Sequence, residues 1–97
     1  RIPASFCSIT GFKPTYGLVG RTGVLPLSYT LDHVGPMART AEDCALMLNA
    51  LQGYDARDHD SIERPRQDFT HGLAGGVAGG RYGPRKDIPG TGFHGLG

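Results

Sequence analysis

The clearest pattern in the sequence is a helical repeat in residues 40–52. Thr40 is a good N-cap, and Asp43 three residues later completes a capping-box arrangement. Gly53 is typical of a C-terminal stop. Small and apolar residues recur at helical spacing along one side: Ala41, Cys44, Ala45, Met47, Leu48 and Leu51. The repeat therefore predicts an amphipathic helix with one face packed on a core.

The residues before this helix predict only short elements. Pro3 favours a helical turn in residues 1–9, because a proline in the first turn loses no hydrogen bond. The apolar stripe of that turn would be Ile2, Phe6 and Ile9. Residues 11–15 and 33–38 predict short extended pieces, and the second leads into the helix.

Glycine and proline shape the remaining segments. Three glycines and Pro26 interrupt the apolar runs of residues 16–31, so we expect loops with brief strands there. The residues predicted to be buried in that stretch are Val24, Leu25 and Leu27. Six of the 16 glycines lie in residues 1–71 and ten in residues 72–97, and ordering such a tail costs much backbone entropy.

These elements are too few to enclose a convincing core. We expect an α/β chain that is one part of a larger domain, a mixed β-sheet flanked by helices. The expected divisions are a core segment in residues 1–54, a polar connector in residues 55–71, and a glycine-rich tail in residues 72–97. An initial Arg1 instead of Met leaves two explanations, a processed chain or a piece of a longer protein.

Composition excludes several classes of function. The 97 residues carry ten Lys and Arg against nine Asp and Glu, so no net charge draws the chain to nucleic acid or an anionic membrane. No run of about 18 apolar residues is present to span a bilayer. Cys7 and Cys44 lack CxxC spacing, which favours reduced thiols and a cytoplasmic location. Both are interpreted as small buried apolar residues.

No short motif supplies a complete catalytic or metal site. Residues 90–95 match GxGxxG by letter, but no strand precedes them and no helix can follow, so we discard a dinucleotide site. The acidic residues between Asp55 and Glu63 lack the pattern of a calcium loop and predict a solvated surface segment. The four histidines have no metal-ligand spacing, and no serine lies in a Gly-x-Ser-x-Gly motif. We therefore expect no cofactor and no metal.

Longer motifs resemble the amidase signature family. They are Arg-Ile-Pro-Ala-Ser-Phe-Cys at residues 1–7, Gly-Phe-Lys-Pro-Thr-Tyr-Gly at residues 11–17, and Leu-Asp-His-Val-Gly-Pro-Met-Ala-Arg-Thr at residues 31–40. The resemblance is gapless over about the first 54 residues, and we find none beyond Lys86. It implies a mixed sheet covered by helices and the hydrolysis of amide C–N bonds by a Ser nucleophile, a bridging Ser and a Lys base.

The resemblance also places the chemistry relative to this chain. The family nucleophile lies in Gly-Gly-Ser-x-Arg, whose Arg matches Arg1, so the nucleophile would stand two residues before the chain begins. No catalytic residue is then expected in this chain. Arg1 would support the site by holding the nucleophile loop through a carboxylate, and an ordinary structural role is an equally good interpretation. Asp32 and His33 would have a supporting role at the sheet edge, and Lys13 matches a family lysine that is not the base.

The resemblance leaves three functions open. The first is an amidase that cleaves a small-molecule carboxamide to a carboxylate and ammonia. The second is the glutaminase, or A, subunit of a tRNA-dependent Glu/Asp amidotransferase, which would need partner subunits. The third is an inactive remnant or an interaction module. The sequence does not identify the amide substrate.

Overall fold

The computed structural model describes residues 1–76 as two helices and two short strands. Helix α1 is Ile2–Phe6, strand β1 is Thr10–Gly11, strand β2 is Met37–Ala38, and helix α2 is Ala41–Leu51. A 3-10 turn follows at Leu73–Gly75. The mixed α/β class predicted from the sequence is confirmed. The GxGxxG letters at residues 90–95 and most of the glycine-rich tail lie outside the described residues.

The two strands form an antiparallel pair beside both helices. Thr10 pairs with Ala38 and Gly11 with Met37. The Phe12 N–H donates to the Pro36 carbonyl at 3.0 Å, which extends the pairing by one more bond. These strands lie in or next to the extended pieces predicted from the sequence, although each is only two residues long.

Helix α2 matches its prediction closely. The Thr40 side chain accepts a hydrogen bond from the Asp43 N–H at 3.1 Å, as the capping box requires. Cys44 and Leu48 are its buried residues. The backbone leaves the helix at Gln52, and Gly53 follows with φ of 145°, a value that favours glycine.

A small apolar core lies beneath α2. Leu48 packs with Leu18 and Val19, and the half-buried side chains of Val34 and Phe69 pack against them. An isolated bridge pairs Val19 with Gln52, so the loop that follows Tyr16 runs along the end of α2.

Two predictions of burial are wrong. Cys7 is exposed, because α1 has ended before it and buries only Ala4. In the loop after Gly23, Val24 is 49% exposed, Leu25 92% and Leu27 95%. That loop is held in a turn, since the Asp32 carboxylate accepts the Leu27 and Ser28 N–H groups at 3.0 Å each. No helix or strand of residues 1–76 covers its apolar side chains.

Candidate functional site

Three basic residues, one from each of three family-like motifs, line one cavity. Arg1, Lys13 and His33 surround about 330 Å³ of open space, which we call the basic cavity. The rest of its lining is apolar or glycine: Pro3, Ala4, Gly11, Phe12, Gly35 and Met37. The cavity therefore combines positively charged side chains with an apolar surface.

The short elements explain how these residues meet. Arg1 is the N-cap of α1, Lys13 follows β1, and His33 precedes β2. Close backbone approach requires glycine in both segments: a Cβ at Gly11 would lie 2.6 Å from the Ala4 Cβ, and one at Gly35 would overlap the Phe12 carbonyl oxygen. The sequence thus lets Lys13 and His33, twenty residues apart, lie side by side.

Hydrogen bonds orient the two side chains. His33 Nδ1 lies 2.6 Å from the Leu31 carbonyl oxygen, which only accepts, so Nδ1 donates its hydrogen. His33 Nε2 then accepts from the Lys13 ammonium, which only donates. Lys13 Nζ lies 3.3 Å from His33 Nε2 and donates to the Pro14 carbonyl at 3.0 Å. Among the described residues that line the cavity there is no hydroxyl or thiol. The cavity can hold a polar or anionic group, but its described lining offers no hydroxyl or thiol nucleophile.

A second polar assembly, the arginine network, lies beside it and is built on Arg21. The Arg21 side chain is 10% exposed and that of Asp58 is 4% exposed. Arg21 donates to Asp58 from its backbone N at 2.9 Å and from Nε at 3.4 Å, and to Asp60 from Nη2 at 2.9 Å. Its guanidinium carbon lies 5.0 Å from the centre of the Tyr16 ring and 4.9 Å from that of Tyr29.

Charge and burial shift the pKa values of this network. Hydrogen bonds from Arg21 lower the pKa of the Asp58 carboxyl and outweigh the opposing effect of desolvation. Desolvation, followed by the hydrogen bond to Asp60, raises the pKa of the Tyr16 hydroxyl. Tyr16 therefore stays a neutral hydrogen-bond donor over the physiological range.

This network was not predicted from the sequence. Its acidic members fall in the segment predicted to be solvated, but Asp58 is buried, because Arg21 compensates its charge. Arg21 and Asp58 are 37 residues apart, so no local spacing connects them.

Within residues 1–76, no group of three or more His, Cys, Asp or Glu side chains could hold a metal ion. Over the same residues, no helix has the length and apolar character to cross a membrane.

Comparisons with known proteins place the chain among relatives. The family model described as Amidase matches residues 1–89. The chain belongs to the amidase family. The resemblance seen in the sequence motifs is thus confirmed, and the family match extends to residue 89, beyond the limit at Lys86 predicted from the sequence.

Curated relatives of the chain are close to it in sequence. The A subunit of the glutamyl-tRNA(Gln) amidotransferase from Thioalkalivibrio sulfidiphilus is 51% identical over 93 residues, 96% of this chain. The protein of the same name from Methylococcus capsulatus is 49% identical over 93 residues. The chain spans 19% of the length of each.

A solved structure supports the same fold. It is described by the words "An unexpected vestigial protein complex reveals the evolutionary origins of an s-triazine catabolic enzyme" and is 39% identical. The TM-score is 0.76 over 81% of this chain and 17% of the other. The architecture of residues 1–76 is therefore that of one part of an amidase-family domain.

Proposed function

We propose that this chain forms one wall of the reaction site of an amide C–N hydrolase. The observation that carries the proposal is the basic cavity, which gathers Arg1, Lys13 and His33 from separate family-like motifs. The substrate is a carboxamide. A serine hydroxyl attacks its carbonyl carbon, the C–N bond breaks and ammonia leaves, and water then releases the carboxylate from the acyl-enzyme.

In this proposal the chain supports the chemistry without supplying the nucleophile. Arg1 lies at the start of α1 and faces the basic cavity. Its guanidinium would hold the nucleophile loop through a bidentate pair with a carboxylate. We also propose a cytoplasmic location, since Cys7 and Cys44 are both free thiols.

Replacing Arg1 tests this role. In the protein at its full natural length, Arg1→Met should lower kcat for amide hydrolysis on the order of 100-fold, because small misplacements of a reacting group cost about that much. Arg1→Lys should retain part of the rate, since it keeps the charge but loses the bidentate geometry. Ammonia release is the measurement.

Arg57→Met is the matched control. Arg57 is an arginine whose side chain is 81% exposed, and it does not line the basic cavity. Its replacement should leave the rate unchanged. A full rate in folded Arg1→Met would contradict the supporting role of Arg1.

A second candidate is the A subunit of a tRNA-dependent amidotransferase. It is favoured by the names of the curated relatives, which are 51% and 49% identical to this chain. The hydrolase reaction would then deliver ammonia to a partner subunit. Glutaminase turnover that depends on partner subunits and charged tRNA would favour this candidate. Equal turnover without them would favour an independent amidase, and no turnover in either assay would favour an inactive remnant.

A further inference from the structure

We propose that Tyr16 is a positioning residue for the basic cavity. It fixes the ring of His33, and through that ring it directs the ammonium group of Lys13. The proposal rests on the proposed function only in assuming that the basic cavity borders the reaction site.

The first step is the contact between Tyr16 and His33. Their ring centres lie 5.3 Å apart with an angle of 65° between the planes, an edge-to-face arrangement. His33 is also held at Nδ1 by the Leu31 carbonyl at 2.6 Å. The Tyr16 ring fixes the tilt of the imidazole plane, and the hydrogen bond to Leu31 fixes which way the ring nitrogens face. His33 Nε2 therefore has a defined direction.

The second step is the hydrogen bond by which His33 orients Lys13. A lysine side chain is a flexible four-carbon stem with a point charge at its end. Here Nζ is held between His33 Nε2 at 3.3 Å and the Pro14 carbonyl at 3.0 Å. Two of the three ammonium hydrogens are used, and the third can serve a group in the cavity.

The third step is the rigidity of Tyr16 itself. Its hydroxyl lies 2.9 Å from Asp60 Oδ2 and 3.2 Å from the Tyr29 carbonyl, and its single hydrogen goes to the nearer, charged acceptor. The Arg21 guanidinium covers its ring at 5.0 Å. Because Arg21 is itself anchored to the buried Asp58 by its backbone and its side chain, Tyr16 is held at both its ring and its hydroxyl.

The first test reads His33 directly, without an activity assay. In the protein at its full natural length, labelled with ¹⁵N-histidine, the imidazole shifts of His33 should report a single Nδ1–H tautomer, assigned with His33→Gln. Tyr16→Leu removes the facing ring and should produce a mixture of tautomers. Tyr16→Phe keeps the ring but loses the anchor to Asp60, and it should produce a smaller change. Unchanged His33 shifts in both folded variants would overturn the proposal, whatever the reaction is.

Tyr29→Phe is the matched control for these variants. Within the described residues the Tyr29 hydroxyl makes no hydrogen bond, although its ring covers Arg21 as that of Tyr16 does. The control should leave the His33 shifts as they are. If it changed them as much as Tyr16→Phe, positioning by Tyr16 would be refuted.

The second test separates positioning from a general loss of stability. Tyr16→Leu should lower kcat about tenfold and Tyr16→Phe about threefold, the changes expected when one or two weak contacts are lost. In the His33→Gln background both replacements should have no further effect on kcat, since Tyr16 acts through His33. Additive losses in that background would overturn the proposal. A changed tautomer with no amide hydrolysis by the unsubstituted protein would instead refute the proposed function.

Discussion

At the scale of single residues, the buried carboxylate of Asp58 shows how charge is tolerated in this chain. It accepts hydrogen bonds from the backbone and side chain of Arg21 and from the Asp60 N–H. Burying a charge is costly unless it is paired and hydrogen-bonded, and here these donors are supplied by the protein. Asp58 thereby joins the loop around Arg21 to the segment that follows α2.

The lowered pKa of Asp58 makes its contribution depend on pH. A carboxyl whose pKa is lower in the folded state stabilises above its unfolded pKa of about 3.9, and this stability is lost as pH falls through the folded pKa. Asp58→Asn should therefore destabilise the protein clearly at pH 7. The difference from the unsubstituted protein should shrink as pH falls below about 3.9, because the Asp58 carboxyl of the unfolded chain then binds a proton before that of the folded protein does. The urea midpoint of unfolding, followed by circular dichroism at pH 7 and at pH 3, measures the difference at each pH.

Glu63→Gln is the control for this prediction, because it removes a carboxylate that is exposed. It should change the urea midpoint little at either pH. An Asp58→Asn difference that stays constant from pH 7 to pH 3 would show that the charge of Asp58 does not matter.

At the scale of elements, α2 could be predicted from the sequence because all its signals are local. The cap, the repeat and the terminating residues lie within fourteen positions, Thr40 to Gly53. The sequence also predicts α1, but two of the three residues in its apolar stripe are exposed, Ile2 at 70% and Phe6 at 86%. Which face of a five-residue helix is covered depends on neighbours that local spacing does not specify.

The cap of α2 gives a prediction at this scale. Thr40→Ala removes the acceptor of the Asp43 N–H, and such caps contribute about 1 kcal/mol. Amide exchange in the first turn of α2 should therefore become about fivefold faster by mass spectrometry. Thr40→Ser keeps the hydroxyl and should exchange at the original rate. Equal exchange in the Ala and Ser variants would mean that the cap carries no stability.

At the scale of the whole molecule, the described residues bury few apolar side chains and leave many large ones exposed. The buried apolar residues in the described part of the chain are few: Ala4, Pro14, Leu18, Val19, Pro36, Cys44 and Leu48. Several larger side chains are more than two thirds exposed, with Leu25 and Leu27 above 90%. Burial of apolar area is the main source of folding free energy, so a core of this size stabilises weakly.

Two outcomes are expected for the isolated 97-residue chain. It should show no amide hydrolysis, because the cavity lining within residues 1–76 offers no serine hydroxyl to act as the nucleophile. It should also melt gradually when followed by circular dichroism, because its core is small. Measurable turnover would refute the placement of the site, and a sharp cooperative transition would show that the chain is a self-sufficient domain.

The sequence by itself determined α2, the extended piece that contains β2, and membership in the amidase family, because caps, periodicity and motifs are encoded by neighbouring residues. Only the tertiary structure brought Arg1, Lys13 and His33 to one cavity and paired Arg21 with the buried Asp58. It also decided that Cys7 and the loop at Leu25 are exposed. Burial and long-range pairing depend on which segments meet in space, and spacing along the chain does not contain that information.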